Sequence, residues 1–117
     1  MLKDVKAFEK IYLVSGYTDC RKGINGLSAL IETKFGMCPF QNNVLFLFCG
    51  HSCAKIRGIV WEQDGFLLLY KRIEKGGIHW PRKDEALLPI SSENFARLIS
   101  GYNIFSTVEK VFPRKTC

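Results

Sequence analysis

The sequence predicts an α+β fold: one small domain, a mainly antiparallel sheet of four to five strands, and two helices packed on one face of it. Three observations predict it. Three strand-like runs follow one another with no helical pattern between them, which argues against alternating parallel βαβ units. Two segments carry apolar residues at helical spacing. The chain has 117 residues, 47% of them hydrophobic and 24% charged, which suits a single core rather than a disordered chain.

The first strand is "KIYLV", Lys10 to Val14, rich in β-branched and aromatic residues and ended by Gly16. A helix follows. Gly23, Ile24, Leu27, Leu30, Ile31 and Phe35 recur on one face, and Lys22, Asn25, Ser28 and Glu32 lie on the other. Thr18 or Asp19 is placed to cap it, and Gly36 and Pro39 stop it. Gly23 and Gly26 cost helix propensity, so close approach by another backbone is expected there.

"VLFLF", Val44 to Phe48, is apolar on both faces and reads as a central strand. "KIRGIVW", Lys55 to Trp61, and "FLLLYKRI", Phe66 to Ile73, flank "EQDG". Asp64-Gly65 signals a hairpin, with a two-residue or a four-residue loop. "EKGGIHWPRKDE", Glu74 to Glu85, reads as a loop. Ser91 then caps a short helix built on Phe95, Leu98 and Ile99, with Ile90 placed to pack on Phe95 as a staple. Residues 105–117 are expected to form a basic tail, frayed over its last five residues.

Seventeen Lys and Arg against eleven Asp and Glu give a net charge of +6, a bias toward nucleic acid, acidic protein or anionic lipid. The apolar runs are too short to span a bilayer, and "MLKDVKAFEK" has no apolar core of a secretory signal, so a cytoplasmic protein is expected. Five cysteines, an odd number, are read as reduced thiols. "CGHSC" supplies two thiols four residues apart, but the second closely spaced pair of a zinc site is missing, so no metal is expected. The eleven carboxylates are scattered, Glu62 and Asp64 sharing only a turn. There is no Gly-rich phosphate loop and no nucleophile signature, so neither enzyme activity nor a cofactor is expected.

Two basic clusters remain. Arg21 and Lys22 stand at the start of the first helix, where the dipole already leaves partial positive charge. An incoming phosphate or carboxylate answers them, or Asp19 answers them locally and both point into water. The second cluster is "LYKRIEKGGIHWPRK". Lys71, Arg72, Lys75, Arg82 and Lys83 are interleaved with Tyr70, His79 and Trp80, and Lys55 and Arg57 precede them on the neighbouring strand. Cations neutralise phosphates and aromatic faces stack on bases. The competing reading is a charged edge strand with Trp80 buried.

"IYLVSGYTDCRKGINGLSALI", then "VLFLF", "KIRGIVWEQDGFLLLYKRIEKGGIHWP" and "LISG" in order, resemble the small TnpB accessory protein, or Orf-two-like protein, of insertion sequences of the sixty-six type. The resemblance covers about residues 9–104. Thr18, Asp19, Arg21, Lys22 and Gly23 match its first motif, and Trp61, Gly65, Phe66, Tyr70, Lys71, Arg72 and Trp80 its second. Cys20 stands where Met is usual and Glu62 where Asp is usual; Cys49 and Cys53 are outside the pattern. The resemblance implies an accessory factor encoded beside a larger transposase, and that transposase as partner. The expected role is non-catalytic binding of DNA, or of the transposase–DNA complex, through a basic face of Arg21, Lys22, Lys55, Arg57, Lys71, Arg72, Lys75, Trp80, Arg82 and Lys83. The alternative is an adaptor that meets the transposase, or a second copy through an exposed edge strand, without touching DNA.

Overall fold

The computed structural model describes residues 8–52, 54–102 and 104. The tail 105–117, Cys53 and Cys117 lie outside the described residues, as does the side chain of Cys20. The elements are β1 (Lys10–Val14), a 3-10 turn (Cys20–Lys22), α1 (Gly23–Phe35), β2 (Val44–Cys49), β3 (Lys55–Trp61), β4 (Phe66–Arg72), β5 (Leu87–Ile90) and α2 (Ser92–Ile99). They build one five-stranded sheet in the order β4-β3-β2-β1-β5. Only β1 and β2 are parallel, because α1 carries the chain across between them; the other three pairs are antiparallel. The α+β class, the mainly antiparallel sheet and the two helices agree with the sequence reading.

One detail is corrected. The two helices do not share a face of the sheet. Leu27 and Ile31 of α1 pack with Val14, Val44, Phe46, Phe48 and Ile59. Phe95 and Leu98 of α2 pack with Ile11, Leu13, Leu45, Leu47, Cys49, Ile56 and Val60. Successive side chains of a strand point to opposite faces, so these are opposite layers. The reason is in β2 itself: all six of its residues are buried, and a strand apolar on both faces needs a cover on both. Each large side chain so buried contributes about 1.5–3 kcal/mol.

Local chemistry sets the ends. Ser91 caps α2 by accepting from the Asn94 N–H at 3.0 Å, and Ile90 and Phe95 join the same cluster, as expected of a staple. Gly36 ends α1 in the left-handed region. Ser28 is buried rather than solvent-facing; its hydroxyl donates to the Asn25 carbonyl at 3.1 Å. The β3–β4 hairpin pairs Trp61 with Phe66 and leaves a four-residue loop, with the Glu62 N–H donating to the Gly65 carbonyl at 2.8 Å. Gln63, not Gly65, takes the positive φ in that turn.

β5 was absent from the sequence reading. It is a four-residue edge strand containing Pro89, which pairs opposite Tyr12. Proline is tolerated there because an edge strand uses only half of its backbone groups. The segment from Glu74 to Glu85 is also more than a connecting loop. It crosses from the β4 edge to the β5 edge, burying Ile78 and Trp80 among the α2-side residues.

Candidate nucleic-acid interface

The topology gathers the basic residues at one end of the sheet. The carboxyl ends of β1, β2 and β4 and the amino ends of β3 and β5 all lie there, by the strand registers. The β1–α1 corner brings Arg21 and Lys22. The start of β3 brings Lys55 and Arg57, and the end of β4 brings Lys71 and Arg72. The crossing segment brings Lys75, Arg82 and Lys83.

The end is divided between two faces. Pairing of Lys55 with Arg72 and of Arg57 with Tyr70 puts these four on the α1 side. Lys71 pairs with Ile56 and therefore points to the α2 side. The Arg57 guanidinium lies 4.7 Å from the centre of the Tyr70 ring, which is half exposed. Such a cation–π contact holds a charge and an aromatic face in one unit.

Arg21 is answered from within. Its Nε meets the Asp19 Oδ1 at 3.1 Å and its Nη2 meets the Oδ2 at 3.4 Å, while its backbone N–H donates to Oδ1 at 3.1 Å. The Arg21 side-chain hydrogen bond, with its backbone N–H, holds the Asp19 carboxyl below the usual aspartate range; the same pair raises the Arg21 guanidinium. A depressed carboxyl favours the fold above the ordinary aspartate titration, and that contribution is lost as pH falls through the folded value. In an NMR titration of Asp19, Arg21→Ala should raise the midpoint toward that of an unperturbed aspartate; an unmoved midpoint contradicts the pairing. Arg72 is likewise answered by Glu74 at 2.9 Å. Among the described residues no acid forms an ion pair with Lys22, Lys55, Arg57, Lys71, Lys75 or Lys83.

The helix start also differs from expectation. Asp19 caps the 3-10 turn, not α1. α1 itself begins one turn later, with Lys22 at its N-cap and no side-chain cap. Gly23 joins the two helices at φ 72, a conformation that disfavours any side chain. Gly26 leaves room for the Lys22 stem, whose Cβ is 2.4 Å from where a Gly26 Cβ would stand. The two glycines therefore shape the Lys22 corner and do not admit a second backbone.

Trp80 is corrected from a stacking residue to a core residue. It is buried, and its indole N–H donates to the Val14 carbonyl at 3.0 Å, so no base can reach its face. Arg82 is turned inward too: Nη1 donates to the Gly16 carbonyl at 2.8 Å and Nη2 lies 3.5 Å from the Cys49 sulfur. With Ser15 bonded to Asp84 and Ala86, and the Gly16 N–H bonded to Pro81, the crossing segment is tied to the end of β1.

The rings the sequence reading missed are Tyr17 and His51. Arg82 lies 4.2 Å from the centre of the Tyr17 ring, and His51 stacks on that ring with centroids 4.7 Å apart. Tyr17 is half exposed and, with Thr18, Asp19, Arg21, Gly50 and His51, lines an open cleft of about 450 Å³. Three separate loops supply the stack, so no local pattern announces it. Among the described residues no three His, Cys, Asp or Glu side chains converge to hold a metal ion.

The family model described as IS66 Orf2 like protein matches residues 9–109. The chain belongs to that family. IS66 Orf2 like proteins are tied by their name to an insertion sequence, which makes this chain a transposition-associated accessory protein. Among curated relatives, the protein y4jC of Sinorhizobium fredii (strain NBRC 101917 / NGR234) is 29% identical over 107 residues, 92% of this chain and 91% of that one. The protein y4hO of the same strain is 28% identical over 92 residues, 79% of each chain. Both relatives are described as uncharacterised. No solved structure matches the chain significantly. In this IS66 Orf2 like protein the two longest stretches that carried the resemblance form the β1–α1 corner and the β3–β4 hairpin with the start of the crossing segment, which bring Arg21, Lys22, Lys55, Arg57, Lys71, Arg72 and Lys75. No helix among the described residues is long and apolar enough to cross a membrane.

Proposed function

We propose that this IS66 Orf2 like protein is a cytoplasmic, non-catalytic factor that grips DNA, alone or bound to the element's transposase, with the α1 side of its basic sheet end. One observation carries the reading. Lys55 and Arg57 project from the same face of β3 beside the exposed Tyr70 ring, with no ion-pair partner among the described residues. Lys22 stands apart from this pair, at the start of α1 in a groove shared with Lys34 and Glu85. Arg21 and Arg72 contribute by exchanging their exposed carboxylate partners for phosphate, an exchange that costs little because exposed ion pairs are weak. Tyr17 takes the stacking role that burial denies to Trp80.

A charge-assisted hydrogen bond is worth about 1.5 kcal/mol or more, so losing two contacts weakens binding by about a hundredfold. Lys55→Ala with Arg57→Ala should produce that loss in a fluorescence-anisotropy titration of labelled element-end DNA at low salt. An affinity equal to that of the parent protein contradicts the proposal.

A second reading is favoured by the ion pairs of Arg21 and Arg72: an adaptor for the transposase that touches no DNA. Pull-down with purified transposase separates the two. Association that survives nuclease treatment, without DNA binding by the protein alone, supports the adaptor.

A further inference from the structure

We propose that a second copy of this chain pairs antiparallel with the open edge of β4, joining two five-stranded sheets into one. This inference goes beyond the functional reading above and does not rest on it.

The two edges of the sheet are unlike. β5 is four residues long and carries Pro89, features that discourage pairing. β4 runs for seven residues, "FLLLYKR", with no proline. Its register against β3 is unbroken from Lys55↔Arg72 to Trp61↔Phe66, so no bulge twists the edge away. Its first five residues carry no charge, and Leu68 and Tyr70 are exposed.

The backbone groups that point outward follow from the ladder. The Glu62 N–H bonds to the Gly65 carbonyl, and the Ile73 N–H bonds to the Ala54 carbonyl. Both bonds belong to the same register, in which hydrogen-bonded pairs alternate. Leu67, Leu69 and Lys71 therefore turn their N–H and C=O groups toward β3. Phe66, Leu68, Tyr70 and Arg72 turn theirs to the open side.

Charge selects a second copy, and its direction. The turn at the start of β4 holds Glu62 and Asp64, and its end holds Lys71, Arg72 and Lys75 against the single acid Glu74, which pairs with Arg72, so that end is net positive. Antiparallel self-pairing brings the basic end of each copy beside the acidic turn of the other; parallel pairing would set like charges side by side. An antiparallel pair is also the closed, twofold arrangement, which stops at two chains. Leu68 and Tyr70 of one copy then face Tyr70 and Leu68 of the other, covering the exposed apolar part of the edge.

Leu68 permits a clean test, because its outward N–H takes no part in the ladder with β3. Leu68→Pro removes that donor, and Leu68→Lys puts cations near the twofold axis. The full chain is expected to sediment as two chains at high micromolar concentration, with the Tyr70 amide protected from hydrogen exchange. Either variant should sediment as one chain with an unchanged circular-dichroism spectrum and a Tyr70 amide that exchanges freely. If Leu68→Pro fails to fold, Leu68→Lys carries the test. A single-chain mass for the parent protein, a dimer that withstands Leu68→Lys, or a dimer with an unprotected Tyr70 amide would each overturn the proposal.

Discussion

Trp80→Ala should cost about 3–5 kcal/mol of stability, the range for removing a large aromatic from a core. Total stabilities of small domains are about 5–15 kcal/mol, so the variant should be partly or wholly unfolded. The loss has two sources. The indole fills space among the α2-side residues, where it is 6% exposed. Its N–H also satisfies the Val14 carbonyl, the last of β1. Trp80→Phe separates the two. It keeps most of the packing but strands that carbonyl, which costs about 1–3 kcal/mol. Urea unfolding followed by circular dichroism measures both. If Trp80→Ala were as stable as the parent protein, the indole would lie outside the core and its role as a stacking surface would return.

Phe46→Ala should cost a similar amount, about 3–5 kcal/mol, from the opposite side of the sheet. Phe46 is fully buried on the α1 side and stacks on Tyr12 with centroids 5.6 Å apart. Its value lies in what it couples to. Residues of one packed cluster show interaction energies of about 0.5–3 kcal/mol in double-mutant cycles, whereas separated sites add. A cycle of Phe46→Ala with Ile31→Val, in the same cluster, should be non-additive. A cycle with Leu98→Val, behind the sheet on α2, should be additive. The reverse pattern would contradict the placement of the two helices on opposite faces.

That placement shows where local reasoning ends. β1, α1, β3 and α2 were legible because each carries its own periodicity and its own cap or stop. The unbroken apolar run of β2 also announced a strand covered on both sides, yet whether the second cover is a helix is a question of tertiary assembly. β5 was hidden because Pro89 reads as a break, and only its pairing with β1 makes a strand of it. The hairpin was found by Asp64-Gly65, although its strained position fell on Gln63.

The candidate site divides in the same way. Charge and aromatic content were visible in composition, but side-chain direction was not. Lys71 and Arg72 are neighbours in sequence and point to opposite faces because the strand period is two. Trp80 and His79 look alike as stacking residues; one is buried and the other exposed because the crossing segment is tied down beside them. Asp19 and Arg21 stand two residues apart and are paired by the 3-10 turn between them, which the helical reading did not contain.

The central claim is that cations gathered at one end of this sheet take up phosphate. Its most direct measurement is the affinity for element-end duplex as a function of salt, in the parent protein and in Lys55→Ala with Arg57→Ala. Each phosphate contact contributes about −0.9 to the slope of log K against log salt, so the double variant should have a slope shallower by about 1.8. A flat response in the parent protein, or equal slopes in the two, would contradict the claim.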